Sequence, residues 1–246
     1  MRKRAQEYLI WIGLIGALVY ALAFIVLMRM VPPMSPKLPP EAVAAIYSAH
    51  NKKFLVGAIV MMATAGFWLP MGAVISMQMR RHETGFPIWT LLQAMASTLG
   101  ALFFALPVLF WYVTGFTAER NPGITATFNE LSWLTFLTPI AAFTLQLLPM
   151  IVIGFTSDVD GRYTAFPRWM SYLTIWMIGM GDIPVLAILF KSGPFAWNGV
   201  VGFWCPALGY SVWLTALALV LLRAIRHQAN ELGARSPATP EATVPR

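Results

Sequence analysis

Along this chain the apolar positions fall in long unbroken blocks, not in the alternation of a half-buried strand or the one-sided stripe of a surface helix. Six blocks reach the roughly 20 residues that a helix needs to cross a hydrocarbon core. They run over about 8–30, 54–79, 87–115, 130–156, 168–190 and 199–225. Barrel strands are excluded, because these take only about 10 residues and alternate between lipid and lumen. The block boundaries carry helix chemistry. Pro87 and Pro167 stand where a first-turn proline has no amide bond to lose. Thr127-Phe128-Asn129-Glu130 has the spacing of a capping box opening the fourth span. The expected fold class is all-α: a polytopic transmembrane bundle of six helices over 1–226, with a disordered cytoplasmic tail over 227–246.

Composition makes the solvent explicit. The chain has 246 residues, of which 58% are hydrophobic and 11% charged, against about 25% charged in an average globular protein. A bundle of this size in water has no means of hiding so much apolar surface, so lipid is its expected first partner. The single cysteine excludes a disulfide framework and a paired-thiol redox motif. The net charge of +7 is not a nucleic-acid footprint, since the basic residues sit at span ends and form no stripe.

Those basic residues set an expected orientation. With the N-terminus inside, the cytoplasmic face receives Arg2, Lys3, Arg4, Arg80, Arg81, Arg162, Arg168, Arg223, Arg226, Arg235 and Arg246. The opposite face receives Arg29, Lys37, Lys52, Lys53, Arg120 and Lys191. Both termini are thus expected in the cytoplasm, with the protein multi-pass in the cell inner membrane. Met1-Arg2-Lys3-Arg4 and Ala21-Leu22-Ala23 give the first block the outline of a signal peptide. The apolar run continues to Met28, too long for one, and a retained anchor is the expectation. After the prolines at 32, 33, 36, 39 and 40, Glu41 to His50 suits a short helix lying in the interface as a lid or a brace.

Parts of the spans recur. Gly66-Phe67-Trp68-Leu69-Pro70 returns as Gly202-Phe203-Trp204-Cys205-Pro206, and Leu69-Pro70-Met71 as Leu148-Pro149-Met150. Phe86-Pro87-Ile88-Trp89 returns as Phe166-Pro167-Arg168-Trp169, and Pro107-Val108-Leu109 as Pro184-Val185-Leu186. The order suggests three tandem helical hairpins. It also marks Pro70, Pro107, Pro149, Pro184 and Pro206 as candidate hinges, because each removes a backbone donor and frees a carbonyl.

Few residues at depth carry chemistry. Asp182, within Gly179-Met180-Gly181-Asp182-Ile183-Pro184, is the one acidic residue well inside a block, and an intramembrane carboxylate is by default a functional candidate. It suits binding of a proton, a cation or a ligand's polar group; the structural alternative is a carboxyl bonded to a freed carbonyl or hydrated near the interface. Gln93 and Gln146, with Ser97, Thr98, Thr135, Thr138, Thr144 and Thr174 nearby, suit either interhelical hydrogen bonds or a polar cavity. Trp68 and Trp204, beside matched prolines, suit packing or a cavity wall, whereas Trp89, Trp169 and Trp197 read as interface anchors. His50, His82 and His227 lie at span ends, which removes facing imidazoles for a haem. No lysine lies mid-span, and no phosphate-binding or dinucleotide loop is present. No cofactor, no metal and no enzymatic activity are expected.

Three stretches together resemble an uncharacterised family of small bacterial six-span membrane proteins. They are Pro32-Pro33-Met34-Ser35-Pro36, Gln78-Met79-Arg80-Arg81 and Ser192-Gly193-Pro194-Phe195-Ala196-Trp197-Asn198-Gly199. The resemblance implies the topology and a bacterial source, and no functional residue. The expected function is a non-enzymatic membrane subunit or scaffold that binds lipid and partner helices, from other subunits or a second copy. The alternative is a small transporter or receptor for a lipophilic molecule, with a cavity near Asp182.

Overall fold

The computed structural model describes residues 2–157 and 164–234. The chain is helical throughout, with no strand among the described residues. Six stretches are long and apolar enough to cross a membrane: Arg4–Leu27, Asn51–Met79, Ile88–Thr117, Pro122–Thr156, Arg168–Ile188 and Val200–Gln228. The helices are α1 (Arg2–Leu22), α2 (Pro40–Ser48), α3 (Asn51–Thr64), α4 (Trp68–Met79), α5 (Ile88–Thr117), α6 (Pro122–Leu137), α7 (Ile140–Thr156), α8 (Arg168–Asp182) and α9 (Cys205–Ala234). Successive spans are neighbours: α1 packs on α3 and α4, these on α5, α5 on α6 and α7, α7 on α8, and α8 on α9. Helix α9 returns to α1, which closes the circuit.

Two boundaries differ from the sequence expectation. The fourth span opens at Pro122, because Asn121 accepts the Ile124 amide (3.1 Å) and Pro122 occupies the first turn. An asparagine followed by proline is a stronger start signal than the threonine downstream. Thr127 instead lies inside the helix, its hydroxyl donating to the Gly123 carbonyl (3.0 Å). At the other end of the chain α9 runs on to Ala234, beyond the expected limit of the bundle at 226. Residues 235–246 of the expected tail, and Arg162 within the short basic loop, lie outside the described residues.

Both ends of the bundle are tied. Where the termini meet, the buried amide of Gln78 on α4 donates to Gln6 on α1 (2.7 Å) and accepts from Gln228 on α9 (2.6 Å). Glu7 and Arg226 pair beside it at 3.7 Å. At the opposite end Tyr47 of α2 donates to Asn129 on α6 (2.6 Å) and rests edge-on against Phe54. Helix α2 is therefore anchored as a brace, with Ile46 turned outward. Trp197 departs from its expected role as a lipid-facing anchor. It is buried, stacks on Trp133 and donates its indole N–H to the Met34 carbonyl (2.7 Å), so the loop before α9 clasps the proline-rich loop. Gly202 allows that clasp: a Cβ there would lie 2.1 Å from the Ala196 carbonyl oxygen.

The sequence matches between hairpins do not share environments. Trp68 is buried, whereas its counterpart Trp204 is 37% exposed; Phe166 is buried, whereas Phe86 is 75% exposed. Pro107 sits within continuous α5, and its counterpart Pro184 stands in a 3-10 turn.

Close helix contacts depend on small residues, as membrane packing does generally. A Cβ at Gly72 of α4 would lie 1.9 Å from Ser97 Oγ on α5. Gly72→Ala is therefore expected to lower unfolding stability in mild detergent by about 1–3 kcal/mol, the usual cost of overpacking. Adding Ser97→Gly to it should recover part of that loss.

In the loop between the second and third spans, Glu83 caps α5, accepting the amides of Trp89 and Thr90 (each 2.9 Å) and the Thr90 hydroxyl. Burial pushes its carboxyl upward, but those three hydrogen bonds and Arg80 outweigh it and leave it below the usual glutamate range. Its stabilisation is present above the unfolded-state value and is lost as pH falls through the folded-state one. The stability gap between the parent and Glu83→Gln should therefore shrink as melts are taken from about pH 6 to about pH 3.

Candidate functional site

Inside the circuit lies a cavity of about 460 Å³ to which all six spans contribute. One part of its wall is a run of aromatic rings. Tyr210 of α9 lies 6.4 Å from Trp68, 6.2 Å from Phe104 and 6.0 Å from Trp213, centroid to centroid. Toward the α2 end, Phe24, Phe136 and Phe203 pack with Trp111 and Trp133.

The backbone around the cavity is irregular in a consistent way. The spans leave α-helical geometry at five places. These are a π turn at Ala23–Leu27, a 3-10 turn at Ala65–Phe67, a break at Thr138–Pro139, a 3-10 turn at Ile183–Ile188 and a π turn at Val200–Trp204. Each supplies a cavity residue: Phe24, Phe67, Pro139, Pro184, and Phe203 with Trp204. Proline explains much of this. Pro139 and Pro184 sit within their interruptions, while Pro70 and Pro206 stand in the first turn of the α-helix that follows theirs. Each lacks the amide that would continue the ladder. Non-helical backbone at membrane depth is tolerated where protein surrounds it or where it lines a cavity.

Four of the five sequence-picked ligand residues converge here: Asp182, Gln146, Trp68 and Trp204 all line the cavity, as do Pro184 and Pro206. The fifth, Gln93, does not. It lies buried between α4 and α5, accepting the Ser76 hydroxyl near Gly72, which is the interhelical role. Pro107 and Pro149 lie inside uninterrupted α5 and α7, and neither they nor Pro70 reach the cavity. Asp182 is the last residue of α8, at the step into the 3-10 turn; the glycines at 179 and 181 remain α-helical. Its carboxylate accepts the Thr144 hydroxyl at 2.9 and 3.2 Å.

Other polar groups on the wall are without partners. Both amide atoms of Gln146, the indole nitrogen of Trp68 and the hydroxyl of Tyr210 are buried and make no hydrogen bond. Tyr210 escaped the sequence reading, although a tyrosine far from either span end is out of place for an interface residue. Tyr20, the other mid-span phenol on the wall, is satisfied by donating to the Phe104 carbonyl (2.8 Å).

Exposed residues of the first span (Ala21, Ile25) and of α9 (Ala207, Leu208, Ser211) belong to the lining, so the cavity reaches the outer surface along the α1–α9 seam. Near the termini the seam is held by the Gln78 cluster and the Glu7–Arg226 pair. The cavity is mainly apolar and aromatic, with unpartnered polar groups on its inner wall.

Comparison with protein-family models, with curated proteins and with solved structures returns no match to this chain.

Thr144→Val should weaken the folded protein by about 0.6 kcal/mol and at most about 1.7, the range for interhelical hydrogen bonds in a membrane. The same change in an Asp182→Ala background should cost less. A double-mutant cycle by denaturant titration in mixed micelles measures the difference.

Proposed function

We propose that this protein is a non-enzymatic receptor or carrier for a lipophilic molecule, which it takes from the bilayer into the cavity between its six spans. In this reading it resides in a bacterial inner membrane with both termini in the cytoplasm, as the basic residues suggest. The resemblance to small bacterial six-span proteins belongs to the same proposal. The scaffold expected from sequence needs packed helices and a lipid-facing surface, and nothing more.

One observation carries the preference for binding. The buried amide of Gln146, with Trp68 and Tyr210, is left without hydrogen bonds beside a cavity that opens toward lipid. Leaving such a group unsatisfied costs about 1–3 kcal/mol, and a packed scaffold gains nothing from that cost. The lining is otherwise apolar and aromatic with a few polar groups, the usual make-up of a small-molecule site.

The test uses the full chain in phosphatidylcholine nanodiscs and a dansylated alkane as probe. Saturable fluorescence above the level of protein-free discs is expected. Ala207→Trp, at the mouth of the seam, should weaken it about tenfold. Leu219→Trp, on an exposed position of the same helix outside the lining, should leave it unchanged. Fluorescence that never saturates, or equal affinity in the parent and Ala207→Trp, overturns the proposal.

A further inference from the structure

We infer that the ligand is a flat ring carrying carbonyl oxygens and a hydrocarbon tail, the chemistry of an isoprenoid quinone. The inference rests on the lipophile-binding reading and narrows it to one class through the polarity, shape and charge of the wall.

Polarity comes first. The unpartnered groups on the wall are mainly donors: the Trp68 indole N–H, the Gln146 amide N–H2 and the Tyr210 O–H. The one purely accepting atom among them, Gln146 Oε1, is turned against α5, only 2.7 Å from where a Cβ on Gly100 would stand. Asp182 accepts from Thr144 and keeps further lone pairs. A ligand that satisfies the three unpartnered donors brings acceptors, as a carbonyl oxygen does.

Charge removes the commonest membrane alternatives. No lysine, arginine or histidine lines the cavity, and its one ionisable acid is Asp182. A fatty-acid carboxylate or a phospholipid phosphate would enter without a counter-charge and face a carboxyl group.

Shape then separates a ring from a plain chain. The donors sit among aromatic rings, with Trp68 and Phe104 each within reach of Tyr210, and aromatic walls favour a planar aromatic-like guest that packs against them. The seam is lined by the small side chains of Ala17, Ala21 and Ala207, which leaves room for a tail to pass between α1 and α9 into lipid.

The experiment measures binding of a tritiated decyl-benzoquinone to the full chain in phosphatidylcholine nanodiscs. Decanol, decanoate and decyltrimethylammonium serve as competitors. Saturable binding is expected, with each competitor at least about a hundredfold weaker. Tyr210→Phe, which removes one oxygen, and Gln146→Leu should each weaken the quinone about tenfold, whereas Leu219→Ala should not change it. Unaltered affinity in both cavity variants overturns the inference. Competition by decanol or decyltrimethylammonium as strong as by unlabelled quinone overturns the quinone class while leaving the lipophile reading in place. If the quinone fails to bind saturably while the dansylated alkane does, only the ligand class falls; if neither binds, both proposals fall.

Discussion

Inside hydrocarbon no water is available to a peptide group, so each N–H and C=O must find its partner within the protein. This chain strains that constraint by placing prolines at 70, 107, 139, 149, 184 and 206, each of which deletes a donor. The outcome depends on local sequence. In α5 and α7 the helix carries on through Pro107 and Pro149. At Pro139 and Pro184, and just ahead of Pro70 and Pro206, it changes to 3-10 or π geometry or breaks. Those changes fall on one locus. Each irregular turn puts an aromatic or proline side chain on the cavity wall, while Ile25, Val26, Ile188 and Val200 of the same turns are exposed.

With the backbone committed in this way, the ends of the bundle must be held by side chains. The two ends use different chemistry. Near the termini, amides from Gln6, Gln78 and Gln228 join three spans across a small buried cluster. Far from the termini, Trp197 stacks on Trp133 while bonding the Met34 carbonyl, and Tyr47 holds Asn129. These contacts give a physical role to three stretches singled out in the sequence: Gln78 lies near the end of the second span, and the Pro32–Pro36 loop meets the Ser192–Gly199 loop at Trp197. Between these tied ends, the α1–α9 seam carries cavity-lining residues that are small or exposed.

The six spans were legible because about 20 apolar residues in a row have few other meanings. Asp182 and Gln146 were legible because polar side chains at depth are costly and therefore conspicuous. Gln93 looked the same in sequence and lies elsewhere, because its helical face turns toward α4 and Gly72, and no residue type records a rotation about the helix axis. Trp197 was misread for a related reason: its place near a span end is that of an interface anchor, and only the loop clasp shows that it points inward. The hairpin matches are a third case. Trp68 and Trp204 share a local motif, but a 3-10 turn precedes one and a π turn carries the other, so the two rings reach different depths of burial.

The choice between scaffold and binding protein turns on what the wall would be if packing were its only purpose. Leucine or phenylalanine at 146 and 210 would fill space without an unmet hydrogen bond, and in hydrocarbon that exchange carries no penalty of lost hydration. Gln146 instead places its amide against Gly100, on the same wall as Tyr210 and the indole of Trp68, and leaves these groups unpaired. Thr144 and Asp182, by contrast, satisfy each other across α7 and α8. On the cavity wall the groups left over, on Gln146, Trp68 and Tyr210, lie where the spans also depart from regular helix, while Gln93, Ser97, Trp111 and Trp133 keep unpaired atoms elsewhere in the bundle. On the proposed reading, a guest that enters sideways and accepts hydrogen bonds at the inner wall accounts for the unpaired groups of that wall and for the irregular turns beside them.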